Sequence, residues 1–456
     1  MSPAAYRVYV TALIAVMTVL PFTWGAIDSV ADPTVVRAIV DAGPSRSIAI
    51  GVGGLLGAAA LLGALRGPVV GNPFEMSVRV ASPKPRATSF RPAFLRNACA
   101  AILFILYGTG ILLAGVWRGG GASGGRAGFL AIGALACAVL IALAWLAGQV
   151  LQKDAWALAA GAVVLGVIIR PSPVLIFALL VFAIAGVVTL PRLLNTLAGP
   201  AVVAQSQRWH AAWNSFYIGD AAGAFSVYEA VPRRGRYWSA FAGGSIWWRT
   251  FRADLISAAR MPGRMFASLA GLVVGAGGVL AATAISGAWS FAAGAVGAMV
   301  LYLALGLVTT RFKFVADLHR SPALFRFSTS KMYALHAAFP ALFAAVGSAL
   351  AAVSLIAGFP ELGTAPLILP CTVVLVLALR GFNSAKGHLP AALLAPVDSP
   401  VGDFSSLNVV VWQADALLLA GLAGAVLANI EGAAVQGVSA LLLTLGALGL
   451  WHRRLT

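Results

Sequence analysis

The chain of 456 residues is 60% hydrophobic, only 10% charged, and carries a formal net charge of +17. A mean hydropathy of +0.92 excludes a soluble globular domain. No loop holds an aromatic-basic nucleic-acid module, so the positive balance reads as a topology signal and as attraction to anionic headgroups, with no nucleic acid as partner.

Apolar stretches at 9–27, 48–65, 98–117, 128–147, 153–169, 173–190, 266–286, 290–308, 336–357, 365–380, 411–428 and 435–451 predict about twelve membrane-spanning helices, each near the ~20 apolar residues that cross a bilayer core. The first is read as a span rather than a cleaved leader, because only Trp24-Gly25-Ala26-Ile27-Asp28 follows it and no small-residue cleavage site does. The loop 66–97 predicts one short helix around Asn72-Pro73-Phe74-Glu75 and a second at Arg91-Pro92-Ala93-Phe94-Leu95-Arg96. Gly119 to Gly125 is a glycine-rich turn that lacks the GK[ST] ending of a phosphate loop.

The longest loop, 191–265, separates two sets of six spans. The expected organisation is a first half at 1–190, a cytoplasmic linker at 191–265 and a second half at 266–456. Within the linker, Trp209, Trp213, Phe216, Phe225 and Tyr228, broken at Gly219-Asp220, predict a helical hairpin. Pro232 to Arg236 is a basic linker, and 247–264 predicts an amphipathic helix. At ~100° per residue, Arg252 and Arg260 fall within about 60° of Arg249, and Trp247, Trp248, Phe251, Leu255 and Ala258 fill an opposite arc of about 100°. Such a helix suits the membrane interface, with Pro262-Gly263 then bending the chain into the next span. The loop 309–335 predicts another short helix, carrying Asp317, Leu318, His319 and Arg320.

With the N-terminus inside, all but five of the 31 Lys and Arg fall on one side; the exceptions are Arg37, Arg46, Arg118, Arg126 and Arg170. The rich side is the cytoplasmic one. The fold expectation is therefore an all-α polytopic bundle of two six-span halves, both termini cytoplasmic, in a bacterial plasma membrane. Cys99, Cys137 and Cys371 show no CxxC spacing, and the five histidines show no metal-ligand spacing. No catalytic, cofactor-binding or metal site is expected. The histidines read as ordinary polar surface residues, and Asp415 as the one acid well within a span, Asp154 being at a span edge, with Asp415 reaching the interface from about one turn inside.

Two function classes remain: a transport subunit powered from outside the chain, or a non-transporting scaffold or lipid-modifying enzyme. The paired basic loops 66–97 and 309–335 favour the first, because force from a cytoplasmic motor needs protrusions tied to the spans. Four stretches carry a likeness to known proteins: Gly67-Pro68 through Arg91-Pro92-Ala93-Phe94-Leu95, Arg252-Ala253-Asp254-Leu255 to Arg260-Met261-Pro262-Gly263-Arg264, Leu335-His336-Ala337-Ala338-Phe339-Pro340, and Val397 to Asp403. Through them the sequence resembles an actinobacterial family of polytopic membrane proteins akin to ABC-2-type exporter permeases. The resemblance implies an interfacial connecting helix before a six-span half, here 247–264, and a coupling helix in the loop after the second span. It implies coupling residues Asn72, Pro73, Phe74, Glu75, Asp317, Leu318, His319 and Arg320, with Trp247, Trp248, Arg249, Phe251, Arg252, Leu255 and Arg260 on the interface helix. The implied partners are separate cytoplasmic ABC ATPase subunits, membrane lipids and, where one chain does not complete the pore, a further membrane subunit. The implied cargo is hydrophobic or amphipathic, and ATP hydrolysis belongs to the partner chain.

Overall fold

The computed structural model describes residues 46–121, 124–168, 173–217, 243–285, 288–320, 327–356, 368–387, 405–430 and 432–455, with shorter pieces within 20–37, 227–239 and 390–403. Most of the first predicted span, the second arm of the predicted hairpin and the tip of the 309–335 loop lie outside the described residues. The chain divides into two compact units, Met1–Glu229 and Ala230–Thr456.

Almost every described element is an α-helix. The first unit contains α1 (Arg46–Leu65), α2 (Pro73–Ala81), α3 (Arg86–Arg118), α4 (Gly124–Leu151), α5 (Ala155–Ile168), α6 (Pro173–Thr196) and α7 (Gly199–Tyr217). The second contains α8 (Ile246–Ala259), α9 (Pro262–Ala284), α10 (Ala288–Gly306), α11 (Thr310–Arg320), α12 (Thr329–Ile356), α13 (Ile368–Ser384), α14 (Ser405–Ala428) and α15 (Ala433–Leu455). A two-residue antiparallel pair, β1 (Asp398–Ser399) with β2 (Gly402–Asp403), precedes α14. Among the described residues, eight helical stretches are long and apolar enough to cross a membrane, and two shorter apolar helices, Ala49–Leu65 and Ile368–Ser384, accompany them. Their outward faces are as apolar as their cores: Phe104, Val188 and Leu442 are 78%, 72% and 64% exposed. Only lipid makes a good solvent for that surface, and only a helix satisfies its own backbone there. The chain is thus a multi-pass helical membrane protein.

One boundary is kept and another differs from expectation. The expected spans 128–147 and 153–169 stay separate, because a 3-10 turn at Gln152–Asp154 divides the apolar run Ala127–Ile168 into α4 and α5. Both halves lie against α1: Gly63 faces Trp145 and Gly148, whereas a Cβ on Gly53 would stand 2.5 Å from the Ala162 carbonyl oxygen. Helix α3 runs for 33 residues and absorbs the Arg91–Arg96 stretch, which is not a separate short helix. Pro92 removes one backbone hydrogen bond there, but burial of Phe90, Ala93 and Phe94 in the first unit's core holds the helix together across it.

In the second unit the helices alternate in direction. Ser268 near the start of α9 bonds to the Ala304 carbonyl near the end of α10. Tyr333 near the start of α12 meets Ser384 at the end of α13, and Arg454 at the end of α15 reaches the Phe382 carbonyl. Arg311, Lys313, Lys331, Arg380, Lys386, Arg453 and Arg454 therefore gather at one end of this unit.

The core of the second unit is built on close backbone approach. A Cβ on Gly275 would lie 2.6 Å from the Leu301 nitrogen, and one on Gly294 would lie 2.6 Å from the Gly424 carbonyl oxygen. Between apolar helices in lipid there is little hydrophobic drive, so such small-residue contact carries the association. Gly294→Val should lower the thermal midpoint of the purified protein, with a loss of about 1–3 kcal/mol expected for an overpacked site. Gly108→Ala on α3, with nothing within 4 Å, should leave the midpoint unchanged or higher. Equal midpoints for Gly294→Val and wild type would refute the close-approach account.

Candidate functional site

The functional candidates cluster at the basic ends of the two units. In the first unit, the chain leaves α1 at Leu65 and crosses seven residues without regular structure before α2 begins at Pro73. Asn72 caps α2 by accepting from the Phe74 N–H at 3.0 Å, and Pro73 occupies the first turn, where its missing N–H costs nothing. Met76 is fully buried against Val69, Phe90 and Phe94, worth about 1.5–3 kcal/mol. Glu75 is paired with Arg79 one turn on, at 2.6 Å, and Arg79 also reaches the Ser89 carbonyl. Phe74 is 79% exposed and Val78 55%, so the outer face of α2 is apolar.

What holds α2 in place is a buried polar network absent from the expectations. Gln149 of α4 is 1% exposed and Gln205 of α7 is fully buried. Gln149 accepts from the Val69 N–H at 3.0 Å and donates both to the Val69 carbonyl at 3.2 Å and to the Gln205 side chain at 2.8 Å. Gln205 donates in turn to the carbonyls of Gly63 and Ala64. Asn97 donates to the Pro68 carbonyl, and the Trp145 indole to that of Arg66. Apart from the Gln149–Gln205 link, these bonds take up the last carbonyls of α1, at Gly63 and Ala64, and the backbone of the segment that follows it. Gln149 inside the otherwise apolar helix α4 was the available signal; Gln205 stands beside Ser206, Gln207 and Arg208 in a polar helix and gave none.

In the second unit, α11 buries Phe312, Val315 and Ala316 against Tyr333 and exposes Phe314 to 47%. Tyr333 makes edge-on contacts with both Phe312 and Trp451, with ring centroids 5.5 and 4.5 Å apart. His319 bonds the Leu455 carbonyl at 2.8 Å through one ring nitrogen and Thr329 at 2.7 Å through the other. It is a structural tie between α11, α12 and α15 rather than an ordinary surface histidine. Asp317 is exposed and Leu318 half-buried, and nothing is described of the Arg320 side chain.

Helix α8 spans Ile246–Ala259, begun by a Ser245 cap. Its faces differ from the predicted arcs. Trp247, Trp248, Arg249 and Leu255 are exposed, while Phe251 and Ala258 pack on the unit's core, Phe251 edge-on to Phe339 at 5.9 Å. Between them on the helix sits Asp254, 5% exposed, whose Oδ2 bonds His336 Nδ1 at 2.8 Å and whose Oδ1 is 3.8 Å from Arg311 Nε. At ~100° per residue Asp254 falls about 140° from Arg249, beside the apolar arc, and the helical wheel assigned it to neither face. Arg252 is half-buried, and Arg260 donates to the Gly235 and Trp238 carbonyls at 3.1 and 3.2 Å instead of projecting freely.

Asp415 also departs from expectation. It is no lone residue reaching for the interface: Lys386 and Arg454 both pair with it. Lys386 further donates to the Trp412 and Gln413 carbonyls, and Arg454 lies over the Phe382 ring at 3.5 Å. Burial pulls the Lys386 ammonium below its ordinary value, and the Asp415 carboxylate pulls it back up. Acid and cations come from α14, α15 and the segment after α13, so spacing along the chain could not reveal the pairing.

Among the described residues no group of His, Cys, Asp and Glu could hold a metal ion. The polar contacts described join helices and cap broken backbone. Comparisons with protein-family models, with curated proteins and with solved structures give no match.

The Asp254–His336 pair yields a direct test. Asp254→Leu should lower stability by about 1–3 kcal/mol, the penalty for a buried polar group left without its partner. The double replacement Asp254→Leu with His336→Leu should recover part of that loss, read as a non-additive thermal-midpoint shift in a double-mutant cycle. Strict additivity would mean the two side chains do not interact.

Proposed function

We propose that the chain is the membrane subunit of an ATP-dependent exporter, moving a hydrophobic or amphipathic cargo with energy from a separate cytoplasmic ABC ATPase. The reading places the basic ends of both units on the cytoplasmic side of a bacterial plasma membrane, and takes α2 and α11 as the elements that meet the ATPase. The observation that carries it is the matched pair of short helices. Each follows an apolar helix, each buries one face in its own unit, and each turns an aromatic residue outward, Phe74 on α2 and Phe314 on α11. A protrusion that transmits force must be stiffly joined to the spans. The glutamine network behind α2 and the Phe312–Tyr333–Trp451 stack behind α11 supply such joints. The resemblance to ABC-2-type permeases points the same way. Helix α8, lying before α9 with Trp247, Trp248 and Arg249 outward, fits the connecting helix of that plan.

Two measurements test this. With Cys99, Cys137 and Cys371 replaced by Ser, a single cysteine at Lys313 should stay unlabelled by a membrane-impermeant maleimide added to intact cells, and one at Arg118 should be labelled. The reverse pattern would invert the topology. For the motor contact, Phe74→Asp combined with Phe314→Asp should leave insertion and helical content intact. Co-purification of an ABC ATPase from native membranes should fall by about tenfold or more, the loss expected when a desolvated charge replaces an apolar anchor. Undiminished ATPase retention, or no ATPase with the wild-type chain, would favour the non-transporting scaffold or lipid-modifying enzyme.

A further inference from the structure

The basic end of the first unit holds a cluster that the motor contact does not use. Arg66 directly follows α1, and its guanidinium lies over the Trp209 ring with Cζ 3.9 Å from the ring centroid. The Arg66 Nε is shut off from solvent and has no hydrogen-bond partner. The residue is anchored, because its carbonyl is held by the Trp145 indole at 2.7 Å. One position before Trp209 stands Arg208, whose Nε turns back to the Ala204 carbonyl of its own helix at 3.3 Å. The Tyr228 hydroxyl is likewise shut off without a partner, and both guanidinium groups act on it electrostatically. Burial pushes that hydroxyl up from its ordinary value, which keeps it a donor. Trp213 stacks on Trp209 with ring centroids 6.0 Å apart and is itself half exposed.

These groups share one chemical character. Two guanidiniums and a hydroxyl supply donors at this end of the first unit, and none of them pairs with an Asp or Glu side chain among the described residues. A buried guanidinium Nε without an acceptor is costly, and the acceptor that best fits two planar forks is an anion with several oxygens. The position narrows the choice. The cluster begins where an apolar helix ends and is flanked by tryptophans, the residues that favour the headgroup level of a bilayer. We propose that Arg66, Arg208 and Tyr228 form a phosphate-group site that holds the headgroup of an anionic phospholipid, with Trp209 and Trp213 as its aromatic wall. This does not depend on the exporter reading: a lipid held here would tie α1 to α7 whatever the unit transports.

The test uses the full-length chain, purified in detergent and stripped of lipid, in native mass spectrometry with three probes. These are dioleoylphosphatidylglycerol, dioleoylphosphatidylcholine and inorganic phosphate. Wild type should bind the phosphatidylglycerol in preference to the phosphatidylcholine. Arg66→Gln with Arg208→Gln should weaken that binding by about tenfold or more, as expected when charge-assisted contacts are removed. Arg208→Gln alone leaves the Arg66–Trp209 contact in place and should weaken it less, with an unchanged size-exclusion profile, so a folding defect is separable from a lost ligand. Saturable binding of inorganic phosphate that the double variant loses would support the phosphate chemistry and assign it a soluble source. Wild-type-like binding of phosphatidylglycerol and of inorganic phosphate by the double variant, or no binding of either of these two by wild type, would overturn the site.

Discussion

In a bilayer there is no water to satisfy a peptide group that has left its helix, so every interruption of these helices needs a side chain to answer it. That requirement organises the structure. Where α1 ends, Gln149, Gln205, Asn97 and Trp145 together take up carbonyls and one N–H between Gly63 and Val69. Where α6 gives way to α7, Arg86 takes the Leu197 carbonyl and Asn195 accepts from the Ala87 N–H. In the second unit Arg454 performs the same task at the end of α13, where it takes the Phe382 carbonyl. The polar residues of the basic ends are mostly occupied in finishing helices.

The same groups then stiffen the parts that face outward. A glutamine that reads both the N–H and the carbonyl of Val69 fixes that residue's orientation as well as its position. Met76, two turns of chain away, is fully buried on the same core, so α2 has little freedom to rock. On the other unit His319 uses both ring nitrogens on neighbours, and Tyr333 stands between two aromatic rings. Rigidity at these two short helices is a consequence of backbone satisfaction, and it is also what a force-transmitting contact would require.

Charge at the basic ends follows a second rule: where a cation is taken out of solvent, it is given a nearby carboxylate, carbonyl or ring. Lys386 has Asp415 and two carbonyls, Arg454 has Asp415 and Phe382, and Arg380 has Thr309 and the Tyr302 ring. Arg66 has a ring but no acceptor for its Nε.

The sequence alone determined the class of the protein. Apolar runs of the length of a bilayer force helices, because no other local structure satisfies its own backbone in lipid, and Lys and Arg sort the connecting segments into two groups. The Asn72-Pro73 start of α2 was legible for the same local reason: a cap and a proline act within one turn. Tertiary structure alone decided which polar residues matter. Gln149 meets Val69 across 80 positions, Asp254 meets His336 across 82, and Asp415 draws its cations from α15 and from the segment after α13. A helical wheel assigned Phe251 to lipid because it counts only neighbours on one helix, whereas Phe339 on another helix covers it. Hydropathy is a property of a segment and survives in any packing. A hydrogen-bond partner is a property of the packing, and no local pattern in the chain records it.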